Sequence, residues 1–255
     1  MNNIFLKKTI LLVAAVTATI TLTSCDCNCT KTGETKLTTH ESSHFYQNDK
    51  IDMAATKAAY YDLMNSFNYP IVPRLQSDEF WAADFKQEDM SKLGMAGVFW
   101  INEKGVYGET GAKKYSGKFK GQQFGYLGHE IFLLPNQAIP EHTHIGGPEG
   151  FGPKAEAWQV RYGKVRFFGE IKIEGAKLIS ELPKKDLPWG FGESWFKSKY
   201  YVEGQPGDVV KLADPESWHF QQAGPEGAIV TEFGTYHNHV VFSKPGLVWG
   251  NTGDK

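Results

Sequence analysis

A chain of 255 residues, 41% hydrophobic and 14% aromatic, is long enough for one well-formed core, and single β domains reach this length. In a formal net charge of -2, nothing points to a nucleic acid or an acidic polymer as partner. With 27 glycines and few helix-periodic runs, the composition suggests a turn-rich β protein.

The first element is a targeting segment. Lys7 and Lys8 precede an apolar run from Thr9 to Leu22, then small residues before Cys25. That order marks a signal peptide over residues 1–24, and the run is short for a spanning helix. Leu22-Thr23-Ser24-Cys25 resembles a bacterial lipobox. The resemblance implies lipidation of Cys25 and a stable acyl anchor on a membrane of the cell envelope. The plainer reading is a secretory signal with an incidental cysteine. Cys25, Cys27 and Cys29 are the only cysteines, so the folded part has no disulfide and no thiol ligand. Residues 25–50 are polar and read as a flexible tether; residues 51–255 read as one domain.

Residues 52–67 carry helix formers with apolar positions three and four apart, and Pro70 ends that helix. Short strand-like runs follow at 97–102, 128–135, 156–163, 164–170, 199–204, 208–212, 218–224 and 228–236. Gly163-Lys164 and residues 223–227 read as hairpin turns. So many short strands predict a sandwich or small barrel with the helix packed outside. Trp189 and Trp195 lie on a loop, where such rings either stack on sugars or pack down.

Side chains two apart on a strand share a face. Glu156 therefore sides with Trp158, Val160 and Tyr162, and Glu232 with Val230, so both carboxylates point into a core. Burying a carboxylate costs several kcal/mol, roughly, unless it is paired or bound to a metal. A metal accounts for one of them: His142, His144, Glu156 and His219 form a three-imidazole, one-carboxylate set suited to Mn, Fe, Ni or Zn. The blander alternative is a group of hydrogen-bonded core histidines.

The order of these residues resembles the cupin superfamily. "PEHTH", then Glu156, "AWQVRY" and Gly163, looks like the first cupin motif, and "PESWH" like the second. The insertion "IGGPEGFGPKA", the segment "PESWHFQQAGPEGAIVTEF" and "VVFSKPGL" are similar to the D-lyxose ketol-isomerases within that superfamily, over about residues 126–248. The resemblance implies an all-β, double-stranded β-helix (jelly-roll) barrel with an N-terminal helix. It implies aldose–ketose isomerisation, of the D-lyxose/D-xylulose or D-mannose/D-fructose type, through a metal-stabilised enediol. The metal is divalent, Mn first, with Fe, Zn, Ni or Co as substitutes.

In that reading Glu232 carries the proton between carbons, with a pKa lifted by burial; the alternative is a partner for Arg161 or Arg166. Lys154 holds Glu156, touches the sugar, or lies solvated on a rim. Trp158, Arg161, Gln221 and Tyr236 are expected to bind substrate. Two departures stand out. No lysine lies between Lys120 and His142, where His129 and Glu130 occupy the incoming strand, and the last strand runs into "TYHNH". Expected partners are a small sugar and, through lipid, a membrane; a homodimer is allowed. The competing functions are another cupin enzyme on sugars or sugar acids, or a non-catalytic carbohydrate-binding lipoprotein.

Overall fold

A computed structural model describes residues 37–87, 89–103, 125–146, 153–236 and 239–248; the signal segment and Cys25 lie outside them. A short 3-10 turn at Ser42–Phe45 leads into a small hairpin of β1 (Tyr46–Gln47) and β2 (Lys50–Ile51). Phe45 is only 1% exposed and packs into the cluster under the helix. The last residues of the stretch expected to be a tether therefore belong to the fold.

Helix α1 (Met53–Ser66) begins where Asp52 accepts hydrogen bonds from the backbone N–H groups of Ala54 and Ala55, each at 3.0 Å. Those donors have no partner within the helix, so the cap satisfies them. Thr56, Ala59, Tyr60, Leu63 and Met64 are buried along one face. Removing the cap with Asp52→Ala should cost about 1 kcal/mol. In a domain of this size that lowers Tm by about 2–4 °C, readable in a thermal melt.

The remainder is mostly sheet, folded as a β sandwich. In chain order the strands are β3 (Trp81–Ala83), β4 (Met95–Glu103), β5 (Tyr126–Leu133), β6 (His142–His144), β7 (Glu156–Gly169), β8 (Lys177–Leu178), β9 (Tyr200–Gly204), β10 (Val209–Lys211), β11 (His219–Gly234) and β12 (Val240–Phe242). They form one hydrogen-bonded sheet, β3-β4-β5-β11-β7-β9-β8, with β10 on β7, and β6 joining β11 to β12. Alternation sorts the side chains. On β5, Ile131 and Leu133 enter the core between the layers, while Phe132 faces outward under α1. A third cluster, built on Phe168, Tyr201 and Phe220, packs under Ile179 and Leu182.

The two expected hairpins are not turns. Strand β7 runs unbroken through Gly163-Lys164, and β11 runs unbroken through residues 223–227. The two pair antiparallel from His219↔Gly169 to Gly234↔Glu156, and the register shifts between Ala223 and Ala228. The turn-forming residues instead bend a continuous two-stranded ribbon. Gly163 (φ 72°) and Gly227 (φ 75°) both take left-handed backbone, and a Cβ on Gly163 would strike the carbonyl oxygen of Gly227. An extra-residue bulge of this kind bends strands without ending the ladder.

Candidate metal centre and active site

The ribbon's bend makes the site. His219 pairs with Gly169, thirteen residues along β7 from Glu156. A straight strand would hold those ends roughly 40 Å apart at about 3.3 Å per residue. Instead His219 Nε2 lies 2.9 Å from Glu156 Oε1. His142 and His144 enter from β6, which pairs with β11 at His219↔His142. The ligating atoms of the three histidines lie within 4.8 Å of one another, and all three residues are buried.

The histidine tautomers follow from the backbone. His142 Nδ1–H donates to the Pro140 carbonyl at 2.8 Å, and His219 Nδ1–H donates to the Ser217 carbonyl at 2.9 Å. A carbonyl only accepts, so Nδ1 carries a proton in each ring, and a ring without a second proton turns its Nε2 lone pair inward. His219 Nε2 and Glu156 Oε1 are then two acceptors 2.9 Å apart, and neither has a hydrogen-bond partner among the described residues. A lone pair on Nε2 would repel that carboxylate oxygen unless a proton or a metal cation lies between them. The three buried histidines could hold a metal ion, and Glu156 Oε1 lies beside two of them, 3.2 Å from His144 and 2.9 Å from His219. Backbone-oriented imidazoles are also how metal-binding histidines are held.

Beside this cluster stands a second buried carboxylate. Lys154 is 4% exposed, and its Nζ lies 2.9 Å from Glu156 Oε2. The same ammonium donates to Glu232 Oε1. The other oxygen, Oε2, lies 3.2 Å from His129 Nδ1. One lysine therefore bridges Glu156, beside the histidine cluster, and the candidate base Glu232. Burial removes the solvated-rim alternative for Lys154, which holds Glu156 and also lines the cavity. Glu232 pairs with Lys154 and His129 rather than with Arg161, which is exposed, or Arg166, which meets Glu203.

Burial and neighbouring charges set the electrostatics. Burial pushes His144 down to about 3, and Lys154 adds to it against the pull of Glu156. His129 falls to about 3 for the same two reasons. Burial and then His219 hold His142 well below its ordinary value. Burial alone would push Glu156 up, but the Lys154 ammonium, His144 and His219 override it and hold the carboxyl well below the usual range. Burial also lowers Lys154, with Glu156 opposing.

These directions predict a pH dependence. The unfolded chain's imidazoles titrate near 6.5, roughly. Below that, the unfolded state binds protons that the fold refuses. Stability is therefore full above about pH 6.5 and falls toward pH 3, by ~1.4 kcal/mol per pH unit for each proton. Calorimetry of the metal-free protein should show Tm starting to fall near pH 6.5 rather than in the carboxylate range. A flat Tm down to pH 5 would contradict this.

The substrate-binding expectations divide. Trp158 and Gln221 line the same cavity as the histidines, and Trp158 lies 5.4 Å from His219, ring to ring. The Gln221 Oε1 has no hydrogen-bond partner among the described residues. Arg161 is a correction: it is exposed, because it sits an odd number of residues from Glu156 and so points away from the cavity. Tyr236 is a second correction. It follows the end of β11, half-buried, and is not part of the lining. Trp189 and Trp195 pack on each other at 5.0 Å, and Lys244 covers Trp189 at 4.7 Å, so that loop packs down. Sequence reasoning missed His129 as a site residue, along with the apolar walls Met95, Phe99, Ile131 and Ile139.

No family model matches the chain. The D-lyxose/D-mannose isomerase of Thermosediminibacter oceani is 29% identical over 178 residues, covering 69% of this chain and 81% of the relative. The D-lyxose ketol-isomerase of Cohnella laeviribosi is 34% identical over 110 residues, 42% of this chain. The chain is a relative of the D-lyxose ketol-isomerases. The matched region spans 54% of the Cohnella laeviribosi protein and 55% of a third such isomerase, from a Thermofilum species. Among solved structures, L-ribose isomerase of Acinetobacter sp. DL28 aligns with TM-score 0.52 at 20% identity, over 76% of this chain and 91% of its own. That of Cellulomonas parahominis aligns with TM-score 0.53 at 18% identity, over 75% and 90%. At such identities the likeness is one of fold.

Proposed function

We propose that this ketol-isomerase relative is a divalent-metal-dependent aldose–ketose isomerase acting on D-lyxose, D-mannose or a related free aldose. We also read its sandwich as the double-stranded β-helix of the cupins. The observation that carries the functional reading is the pair of buried carboxylates joined through Lys154. One, Glu156, belongs to the ligand cluster; the other, Glu232, faces the same cavity and is not a ligand. A carboxylate outside the ligand cluster that faces the same cavity is the group a proton transfer between carbons requires.

His142, His144, Glu156 and His219 would hold the ion. When bound, it would supply positive charge to oxygens on the two carbons between which the proton moves. Glu232 would remove the proton from C2 of the aldose and return it to C1, while the hydroxyl proton passes from O2 to O1. Lys154 keeps Glu232 beside the ligand cluster, and Trp158 walls the cavity. Mn remains the first choice of metal.

The test is proton NMR of the purified protein in D2O with Mn, or with Zn where broadening requires it. The panel is D-lyxose, D-mannose, D-xylulose, D-fructose and an unsaturated uronate. Interconversion with deuterium entering beside the carbonyl supports the reading. Metal retained with no turnover of any sugar overturns it and favours a binding module; turnover of the uronate alone favours another cupin chemistry. The sequence ending at Cys25 adds a location to the proposal, a lipid anchor in the cell envelope. Cys25→Ala should then shift the protein from the detergent phase to the aqueous phase, and unchanged partitioning would sink the anchor.

A further inference from the structure

His129 is used by no step above, yet its surroundings are specific. It is 3% exposed and lies directly opposite Glu232 in the β5–β11 ladder. Its ring stacks against Phe99 at 4.3 Å and Trp81 at 5.5 Å, both within 23° of parallel. Its Nε2 edge sits over Gly97, where a Cβ would collide with it, and Nε2 has no hydrogen-bond partner among the described residues. The polar contact its ring makes is Nδ1 to Glu232 Oε2, 3.2 Å. A carboxylate accepts, so Nδ1 carries the proton. The opposite tautomer would set a lone pair against that carboxylate.

From this geometry we infer that His129 is a positioning residue, whose Nδ1–H fixes the Glu232 carboxylate so that Oε2 carries the substrate proton. The inference rests on the isomerase reading of the same site. Lys154 takes Oε1, and the same ammonium is anchored on Glu156. Oε2 meets a single neutral donor and keeps a lone pair. The stacked aromatic rings and the missing side chain at Gly97 lock the imidazole, so the carboxylate cannot rotate to exchange its two oxygens. A base held within a small angle of its working geometry loses little to misalignment.

The test uses two variants and two readouts. His129→Phe keeps a ring against Phe99 and Trp81 but removes the donor; His129→Asn places an amide N–H near the Nδ1 position. Turnover of D-lyxose and D-mannose should show kcat lowered about 10- to 100-fold in His129→Phe, as for loss of an orienting partner. KM should stay within about twofold, with metal content unchanged, and His129→Asn should recover most of the loss. Separately, long-range proton–nitrogen spectra of the zinc-loaded protein should show His129 with its proton on Nδ1, and that resonance should move in Glu232→Gln. Wild-type kcat in His129→Phe, or a proton on Nε2, overturns the inference. Absence of turnover in the wild type would instead overturn the isomerase reading, and the spectra would still decide whether the Nδ1–H bond exists.

Discussion

Glu232→Gln should abolish deuterium entry from solvent into sugar and lower kcat/KM about 10²- to 10⁴-fold, the range expected for a lost general base. The substitution keeps the shape of the side chain and leaves an acceptor for Lys154. Lys154 still meets Glu156 at 2.9 Å, so the ammonium is not stranded. Metal content should be unchanged, since Glu232 is not among the converging ligands. The comparison is therefore clean: deuterium exchange by NMR beside metal content by elemental analysis. Normal exchange in this variant would remove Glu232 from the chemistry, whatever its burial.

Stripping the metal with a chelator should stop turnover altogether and lower Tm. An ion that binds only the folded state stabilises it by about 2.7 kcal/mol when present at a hundred times its Kd. The metal-free site also leaves Glu156 Oε1 facing His219 Nε2 with nothing between them. Adding Mn should restore both activity and Tm. In His219→Ala the chelator should do nothing further, because a ligand and the repulsive contact are already gone. An unchanged Tm after chelation, with no metal found in the untreated protein, would remove the ion from the account.

The helix and most strands were legible because their signals are local. Asp52, the spacing of Ala59, Tyr60 and Leu63, and Pro70 are all within one turn or two of what they control. The burial of Glu156 was legible because strand alternation sets it on the same face as Trp158 and Val160. Arg161 could have been set aside by the same parity, since Trp158 and Arg161 cannot share a face of one strand. His129 was harder. It is in phase with Ile131 and Leu133, which reads as core, and its value appears only once β5 lies opposite Glu232. That register is a long-range property, fixed by the whole sheet. The supposed hairpins failed for a related reason. Glycine and proline announce a change of direction, but whether the ladder stops there depends on a partner strand far away in sequence.

The doubled ribbon of β7 and β11 has a consequence for how the protein acquires its ion. Glu156 and His219 become neighbours only after the ribbon has bent at Gly163 and Gly227. Until that bend forms, Glu156 lies apart from His219, so an ion held by all four residues would be captured late in folding. Divalent ions compete for nitrogen and oxygen donors in an order that does not favour Mn, and supply decides the outcome where affinity does not. An ion held there would then be the one on offer in the compartment where the ribbon closes, and the place of folding, as much as the donor set, would decide its identity.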